Sequence, residues 1–127
     1  MSTHDFQPGA IVKASYKTGE YIGEVVELMN SGKLAVRVLA VAGHPVQGDL
    51  HHPMDPDVPY FHERPALAYQ EIALMPPHTV SAYHGTVPDY RTSLLQALER
   101  EQERLDRMRR WAERGLEELE KRKRDYT

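Results

Sequence analysis

Residues 11–41 read IVKASYKTGEYIGEVVELMNSGKLAVRVLAV, and this stretch decides the predicted fold. It contains three runs rich in β-branched and aromatic residues, at 11–16, 21–28 and 34–41. The tetrapeptides KTGE and NSGK separate the runs, and each supplies a glycine for the positive φ that a tight turn needs. Consecutive antiparallel hairpins are therefore predicted. Gly23, inside the second run, predicts a bulge that curls the sheet.

A further strand is predicted downstream, where residues 66–77 read ALAYQEIALMPP and alternate between two faces until the paired prolines end the run. Four or five short strands joined by tight turns favour a small SH3-like β-barrel. We assign this barrel to residues 1–86, with one long loop rich in proline and histidine at about residues 43–66. The predicted fold class is mainly β with a C-terminal α segment.

The C-terminal helical segment is predicted over residues 87–127, which are dense in Glu, Arg, Leu and Lys. Apolar residues recur there at every seventh position: Leu98, Leu105, Ala112, Leu119 and Tyr126. Glu101, Gly115 and Arg122 occupy the intervening positions, so no sustained coiled coil is predicted. Gly115 costs about 1 kcal/mol relative to Ala, which leaves open one long helix or two shorter ones. The stripe would pack on the barrel or on a partner, including a second copy in a homo-oligomer.

Composition excludes several functional classes. The 127 residues include no cysteine, so disulfides, thiolate catalysis and cysteine-based zinc sites are ruled out. A net charge of −3 gives no electrostatic reason to expect nucleic acid or an anionic membrane as a partner. The first ten residues, MSTHDFQPGA, do not resemble a secretory signal, and no apolar run reaches the ~20 residues that span a bilayer. We therefore expect a cytoplasmic protein without a direct membrane anchor.

The segment 44–67, HPVQGDLHHPMDPDVPYFHERPAL, holds four of the seven histidines. One alternative is a metal-dependent or acid–base enzyme built on residues 44–64, with His44, His51 and His62 as metal ligands. The spacing matches no zinc pattern, however. The prolines favour instead a stiff loop whose imidazoles and carboxylates hold one another and the backbone, with Arg64 paired to Glu63 or Asp49. We expect no metal and no cofactor.

Catalytic frames are missing from the sequence, since it has no G-x-S-x-G, no P-loop and no G-x-G-x-x-G. A non-enzymatic, protein-binding role is therefore predicted, because small barrels bind partners through loops that present tyrosine, proline and charged residues. The predicted partner-binding residues come from three stretches: Tyr16, Lys17 and Tyr21; Gly48, Asp49, His51, His62, Glu63 and Arg64; and Pro88, Asp89 and Tyr90.

Four stretches resemble the kinase-associated protein B family of spore-forming Gram-positive bacteria. They are ASYKTGEYIGEV (14–25), GHPVQGDLHHP (43–53), VPYFHERPALAYQE (58–71) and YHGTVPDYRTSLLQALE (83–99). The resemblance implies an SH3-like barrel followed by a helix. It also implies support of a sensor histidine kinase, or another component, in the sporulation phosphorelay. The family is often named a lipoprotein, but this chain has no cysteine, so we expect any membrane association to be made through a partner.

Overall fold

The computed structural model describes residues 6–127, which form one antiparallel sheet and one long helix. The elements in chain order are β1 (Ile11–Tyr16), β2 (Gly19–Leu28), β3 (Leu34–Gly43), β4 (Ile72–Met75), a 3-10 turn (Pro77–Thr79), β5 (Ser81–Ala82) and α1 (Tyr90–Tyr126). The strands lie in the order β4-β3-β2-β1-β5, and every neighbouring pair is antiparallel. The predicted class, mainly β with a C-terminal helix, is confirmed.

The sheet is open, because its edge strands β4 and β5 do not pair with each other over residues 6–127. It is nevertheless bent, since the register between β2 and β3 shifts at three points, one of them at Ile22/Gly23. A Cβ on Gly23 would collide with the carbonyl oxygen of Arg37, so glycine lets the two backbones approach closely. The predicted irregularity at Gly23 is confirmed, whereas the SH3-like barrel stays a prediction.

The predicted strand over residues 66–77 is only partly correct, because β4 begins at Ile72. The preceding residues turn instead: Gln70 has a φ of +68°, and the amide of Glu71 donates to the carbonyl of Ala68 at 3.1 Å. A residue in the left-handed region cannot continue an extended strand. The connection between β3 and β4, here called the long loop, therefore covers residues 44–71.

The core is formed by side chains of the strands, and helix α1 covers one part of it. Its largest fully buried side chains are Tyr21, Leu34, Met75, Val12, Val25, Val36 and Val38. Ala97 of α1 is buried in the same cluster, and Leu94 packs against it. Ser93 ties the helix to β3, because its hydroxyl accepts from the amide of Val41 at 3.0 Å and donates to the carbonyl of Tyr90 at 2.8 Å.

Helix α1 runs without a break over 37 residues, about 55 Å at 1.5 Å per residue. Gly115 does not interrupt it, which decides between the one-helix and two-helix alternatives. Asp89 caps the helix, since its carboxylate accepts from the Thr92 amide at 3.0 Å. The only buried helix residues are Ser93 and Ala97 among those described, so the second half projects away from the sheet. No helix within residues 6–127 has the length and apolar character needed to cross a membrane.

Candidate functional site

The two ends of the residue 47–64 segment are joined by hydrogen bonds of the kind found between strands. The side chain of Gln47 donates to the Arg64 carbonyl at 2.8 Å and accepts from the Arg64 amide at 2.7 Å. The amide of Gly48 donates to the His62 carbonyl at 2.8 Å. The side-chain amide of Gln47 thus replaces a missing backbone partner. These bonds fix how residues 48–62 leave the body of the protein.

Arg64 adds a second set of contacts where the two ends of the loop meet. We call this place, formed by residues 46–48 and 62–64, the neck of the loop. Its guanidinium donates to the carbonyl of Val46 at 3.0 Å and to the carbonyl of Gly48. Among the ion pairs of residues 6–127, Arg64 has none with Glu63 or Asp49, so the predicted pairing is wrong. One guanidinium nitrogen of Arg64 thus binds the carbonyls on either side of Gln47, and the Glu63 side chain is exposed.

Gly48 is a structural residue of the loop rather than a contact for a partner. It is buried, and its φ is +100°, a conformation that favours glycine. A Cβ at this position would lie 2.9 Å from the ring of Phe61. The glycine therefore lets the aromatic ring lie directly against the backbone of the opposite side of the loop.

Asp49 organises the next turn. Its carboxylate accepts from the His51 amide at 2.9 Å, and Nδ1 of His52 lies 3.1 Å from its other oxygen. The bond from the His51 amide, and then the one from His52, lower the pKa of Asp49 below its usual value. This is the arrangement predicted for the loop, in which a carboxylate holds an imidazole and the backbone. It involves His52, which was not among the predicted site residues.

The predicted metal ligands His44, His51 and His62 do not come together. Nδ1 of His44 lies 3.0 Å from the Pro45 carbonyl, whereas the ring of His62 meets the ring of Tyr60 edge-on at 4.4 Å. Throughout residues 6–127, no three His, Asp or Glu side chains are placed to hold a metal ion. The alternative ligand set is therefore wrong, because the three imidazoles have different surroundings and share no site.

The two sides of the long loop have different surroundings, because one side faces the helix and the other is exposed. Phe61 lines a groove beside the helix, although 56% of it is exposed, whereas Tyr60 and His62 are exposed outside that groove. Tyr60 is 67% exposed. We call four of the exposed loop residues outside that groove the outer loop face: His51, Tyr60, His62 and Glu63. Three of these four were predicted as partner-binding; Tyr60 was not.

The inner side of the loop and the helix enclose an apolar groove of about 260 Å³. Met54 and Phe61 line it from the loop, and Leu105 and Met108 line it from α1. At its rim Arg104 donates to Glu101 at 2.7 Å, which lowers the pKa of the Glu101 carboxyl. Sequence reasoning missed this groove because its walls are more than 40 residues apart in the chain, and no local pattern reports such a contact.

The predicted residues at the helix start lie on a separate surface. Pro88, Asp89 and Tyr90 line a shallow hollow together with Tyr69. The rings of Tyr69 and Tyr90 are 5.7 Å apart, and the Tyr90 hydroxyl donates to the Leu67 carbonyl. Burial raises the pKa of Tyr90. The Asp89 carboxylate already accepts from the Thr92 amide as the helix cap. The residues of this hollow therefore serve mainly to stabilise the fold.

The third predicted group, at the β1–β2 turn, divides between surface and core. The Lys17 ammonium lies 5.6 Å from the centre of the Tyr16 ring, at the surface. Tyr21 is 1% exposed, so its prediction as a partner contact is wrong. Its hydroxyl accepts from the Leu67 amide at 3.1 Å, and burial raises its pKa. The turn adjoins the long loop, since the Val46 amide donates to the Thr18 hydroxyl at 2.8 Å.

The fold and the braced loop define a small mainly-β protein that holds a preformed, exposed loop surface beside a projecting helix. Comparison with known proteins identifies its family. The profile of the family described as Kinase associated protein B matches residues 16–127. The chain is 48% identical to Kinase-associated lipoprotein B of Bacillus subtilis (strain 168), covering 99% of this chain and 97% of that protein. The chain belongs to the kinase-associated protein B family.

A solved structure is also similar. The X-ray crystal structure of kinase-associated protein B from Bacillus cereus superposes with a TM-score of 0.67 at 42% sequence identity. The alignment covers 80% of each chain. The family membership inferred from the sequence motifs is thereby confirmed.

Proposed function

We propose that the protein is a non-enzymatic accessory factor that binds a sensor histidine kinase, or another phosphorelay component, in sporulation. Family membership supports a kinase-associated role, since both relatives carry that description in their names. We place the protein in the cytoplasm, with any membrane association made through the kinase. The proposed partner is a protein, and neither nucleic acid nor a cofactor has a part in this function.

The observation that carries the proposal is the outer loop face, which is held in place by the hydrogen bonds at the neck of the loop. A flexible loop would lose conformational entropy on binding, and that loss would weaken the complex. Here the bonds of Gln47 and Arg64 have already fixed the loop before a partner arrives. The exposed ring of Tyr60 is of the residue type most enriched at the centres of protein interfaces.

The chemistry of the outer loop face suits a folded protein surface rather than a small molecule. It presents a tyrosine ring, two imidazoles and a carboxylate, all of them exposed. The Tyr60 and His62 rings support each other edge-on, so both are presented in a defined orientation. Small-molecule sites usually bury most of their ligand in a cleft, whereas the four residues of this face are exposed.

The shape of the sheet supports the SH3-like barrel that the sequence predicts. Strands β1 and β4 are separated by two other strands, yet they contact each other. Contact between strands so far apart in the order requires strong curling of the sheet. We therefore propose that the body is a partly open SH3-like barrel, with the long loop leaving from its third strand.

Calorimetric titration of the kinase's cytoplasmic portion, from the same organism, tests the proposal. We expect binding to the wild type, and a dissociation constant raised roughly tenfold or more by Tyr60→Ala combined with His62→Ala. Tyr69→Ala is the matched control, because it removes an exposed ring from the separate hollow near the helix start. The absence of wild-type binding, or an equal loss in the control, would contradict the proposal.

A cellular measurement tests the pathway separately from the contact. We expect deletion of the gene to lower kinase-dependent sporulation, and complementation with the Tyr69→Ala variant to restore it. Complementation with the Tyr60→Ala/His62→Ala variant should not restore it. Unchanged sporulation in the deletion strain would remove the pathway role.

A further inference from the structure

The second half of helix α1 carries large apolar side chains that nothing within residues 6–127 covers. Leu116 and Leu119 are each 67% exposed, and Tyr126 is 79% exposed. Leu105, Ala112 and Leu119 continue, at seven-residue intervals, the helix face that Leu98 begins beside the sheet. We call this stretch the free helix face: Leu105, Met108, Ala112, Gly115, Leu119 and Tyr126.

We propose that the free helix face pairs antiparallel with the same face of a second copy of this chain. The two-fold axis would pass between Ala112 and Gly115. In this register Met108 of one copy packs against Leu119 of the other, and Ala112 packs against Gly115. Tyr126 then reaches the level of Glu101, at the rim of the apolar groove. The pairing is a short helix pair, not a sustained coiled coil.

Gly115 supports this arrangement because the single chain gives no reason for it. Glycine in a helix interior costs about 1 kcal/mol relative to alanine. A Cβ at Gly115 would meet no atom within 4 Å, so nothing inside the chain requires its absence. Placed beside Ala112 of a second copy, the glycine lets two helix backbones approach closely.

The charges beside the free helix face favour an antiparallel second copy. In the proposed register Arg104 lies near Asp125 of the other copy, whereas Glu101 is level with Tyr126 and one turn from Arg122. A parallel pair would instead place Arg122 directly against Arg122 of the other copy. In the antiparallel pair Arg109 lies nearest to Leu116 of the other copy and more than one turn from Lys123, so it meets no like charge directly. Asp106 and Glu113 of the same helix already neutralise Arg109, at 2.7 and 2.8 Å.

The length and position of the free helix face also favour a second copy of this chain as its partner. The free helix face runs from Leu105 to Tyr126, about 33 Å at 1.5 Å per residue. An antiparallel pair overlaps the two free segments and places the two sheets at opposite ends, where they do not collide. The end of the second helix enters beside Met54 and Phe61, so the groove of about 260 Å³ and the helix form one continuous surface.

The apolar area is that of a modest dimer. The five large exposed side chains are Leu105, Trp111, Leu116, Leu119 and Tyr126. If all five were fully buried, they would contribute roughly 480–860 Å² per copy, taking about 60–120 Å² for a leucine and 150–250 Å² for an aromatic residue. A standard interface buries about 800 Å² per partner. The groove and the stems of flanking arginines and glutamates supply the remainder.

Light scattering on the full chain, from micromolar to near-millimolar concentration, tests the pairing. We expect a dimer that dissociates on dilution, with a dissociation constant raised roughly tenfold or more by Leu119→Arg. Glu117→Arg is the matched control, since it puts the same residue on the opposite helix face and should leave the dimer intact. A wild-type monomer at every concentration would overturn the proposal, as would equal effects of the two variants. Circular dichroism checks that both variants stay folded.

Cysteine cross-linking tests the orientation, because the wild-type chain contains no cysteine. Chains carrying Met108→Cys are mixed with chains carrying Leu119→Cys and oxidised mildly, and the products are resolved by mass. The antiparallel register predicts the mixed disulfide as the main product. Predominant disulfides between identical chains would establish a parallel pair, and no cross-linking at all would exclude contact through this face. Either result overturns the proposal.

Discussion

At the residue scale, side chains of the long loop make hydrogen bonds that backbone groups make in regular secondary structure. Gln47 gives and accepts a hydrogen bond with the backbone of Arg64, as a neighbouring strand would. Arg64 in return binds the carbonyls of Val46 and Gly48. Because each contact joins residues at least 16 positions apart, the loop depends on a few side chains and not on regular structure.

Gly48→Ala is the sharpest residue-scale test of this neck. The new methyl would face the Phe61 ring at 2.9 Å, and alanine disfavours a φ of +100°. We expect the free energy of unfolding to fall by about 1–3 kcal/mol in a denaturant titration. Gly32→Ala is the control, because Gly32 has a φ of +90° and open space around its Cβ position. Equal losses in the two variants would show that the contact with Phe61 contributes nothing.

At the element scale, helix α1 consists of a docked part and a projecting part. Ser93 and Ala97 hold the docked part on β3, and the Asp89 cap fixes where the helix begins. Beyond Glu101 most side chains are exposed, and arginines and acids pair along the helix. Intrahelical pairs of this kind contribute only a few tenths of a kcal/mol each. Docking therefore depends on the first three turns.

Ser93→Ala tests how the helix is docked. The substitution removes the hydroxyl that accepts from the buried amide of Val41. We expect the unfolding free energy to fall by about 1–3 kcal/mol, the cost of an unsatisfied buried donor. Ser81→Ala, at an exposed strand position, should change it little. A loss no larger than that of the control would mean that the hydroxyl does not hold the helix.

Asp89 gives the helix a pH dependence whose sign follows from its bonds. The Thr92 amide and hydroxyl hold the pKa of Asp89 below its ordinary value of 3.8. A lowered folded-state pKa stabilises the protein above the unfolded pKa, and this stabilisation is lost as the pH falls through the folded pKa. We expect Asp89→Asn to keep the cap but to lose that contribution to the acid sensitivity of thermal unfolding between pH 5 and about pH 2. Identical pH profiles for the two proteins would contradict this.

At the scale of the whole molecule, local patterns predicted the elements better than the site. The first strand has the predicted bounds, because alternation and a glycine turn are local signals. Residues 66–71 also alternate, yet Gln70 turns the chain there. The role of Gln47 and the burial of Tyr21 depend on distant contacts that a single sequence does not display. The division into units at residues 1–86 and 87–127 stays a prediction.

Nuclear magnetic resonance mapping of the bound kinase tests the central claim most directly. The claim is that a loop already rigid in the free protein presents its outer face to the kinase. Titration of isotope-labelled protein should shift the amide signals of residues 51–63 most, while the Arg64 amide stays protected from exchange before and after binding. Shifts concentrated around Tyr69 and Tyr90, or rapid exchange of Arg64 in the free protein, would contradict the account.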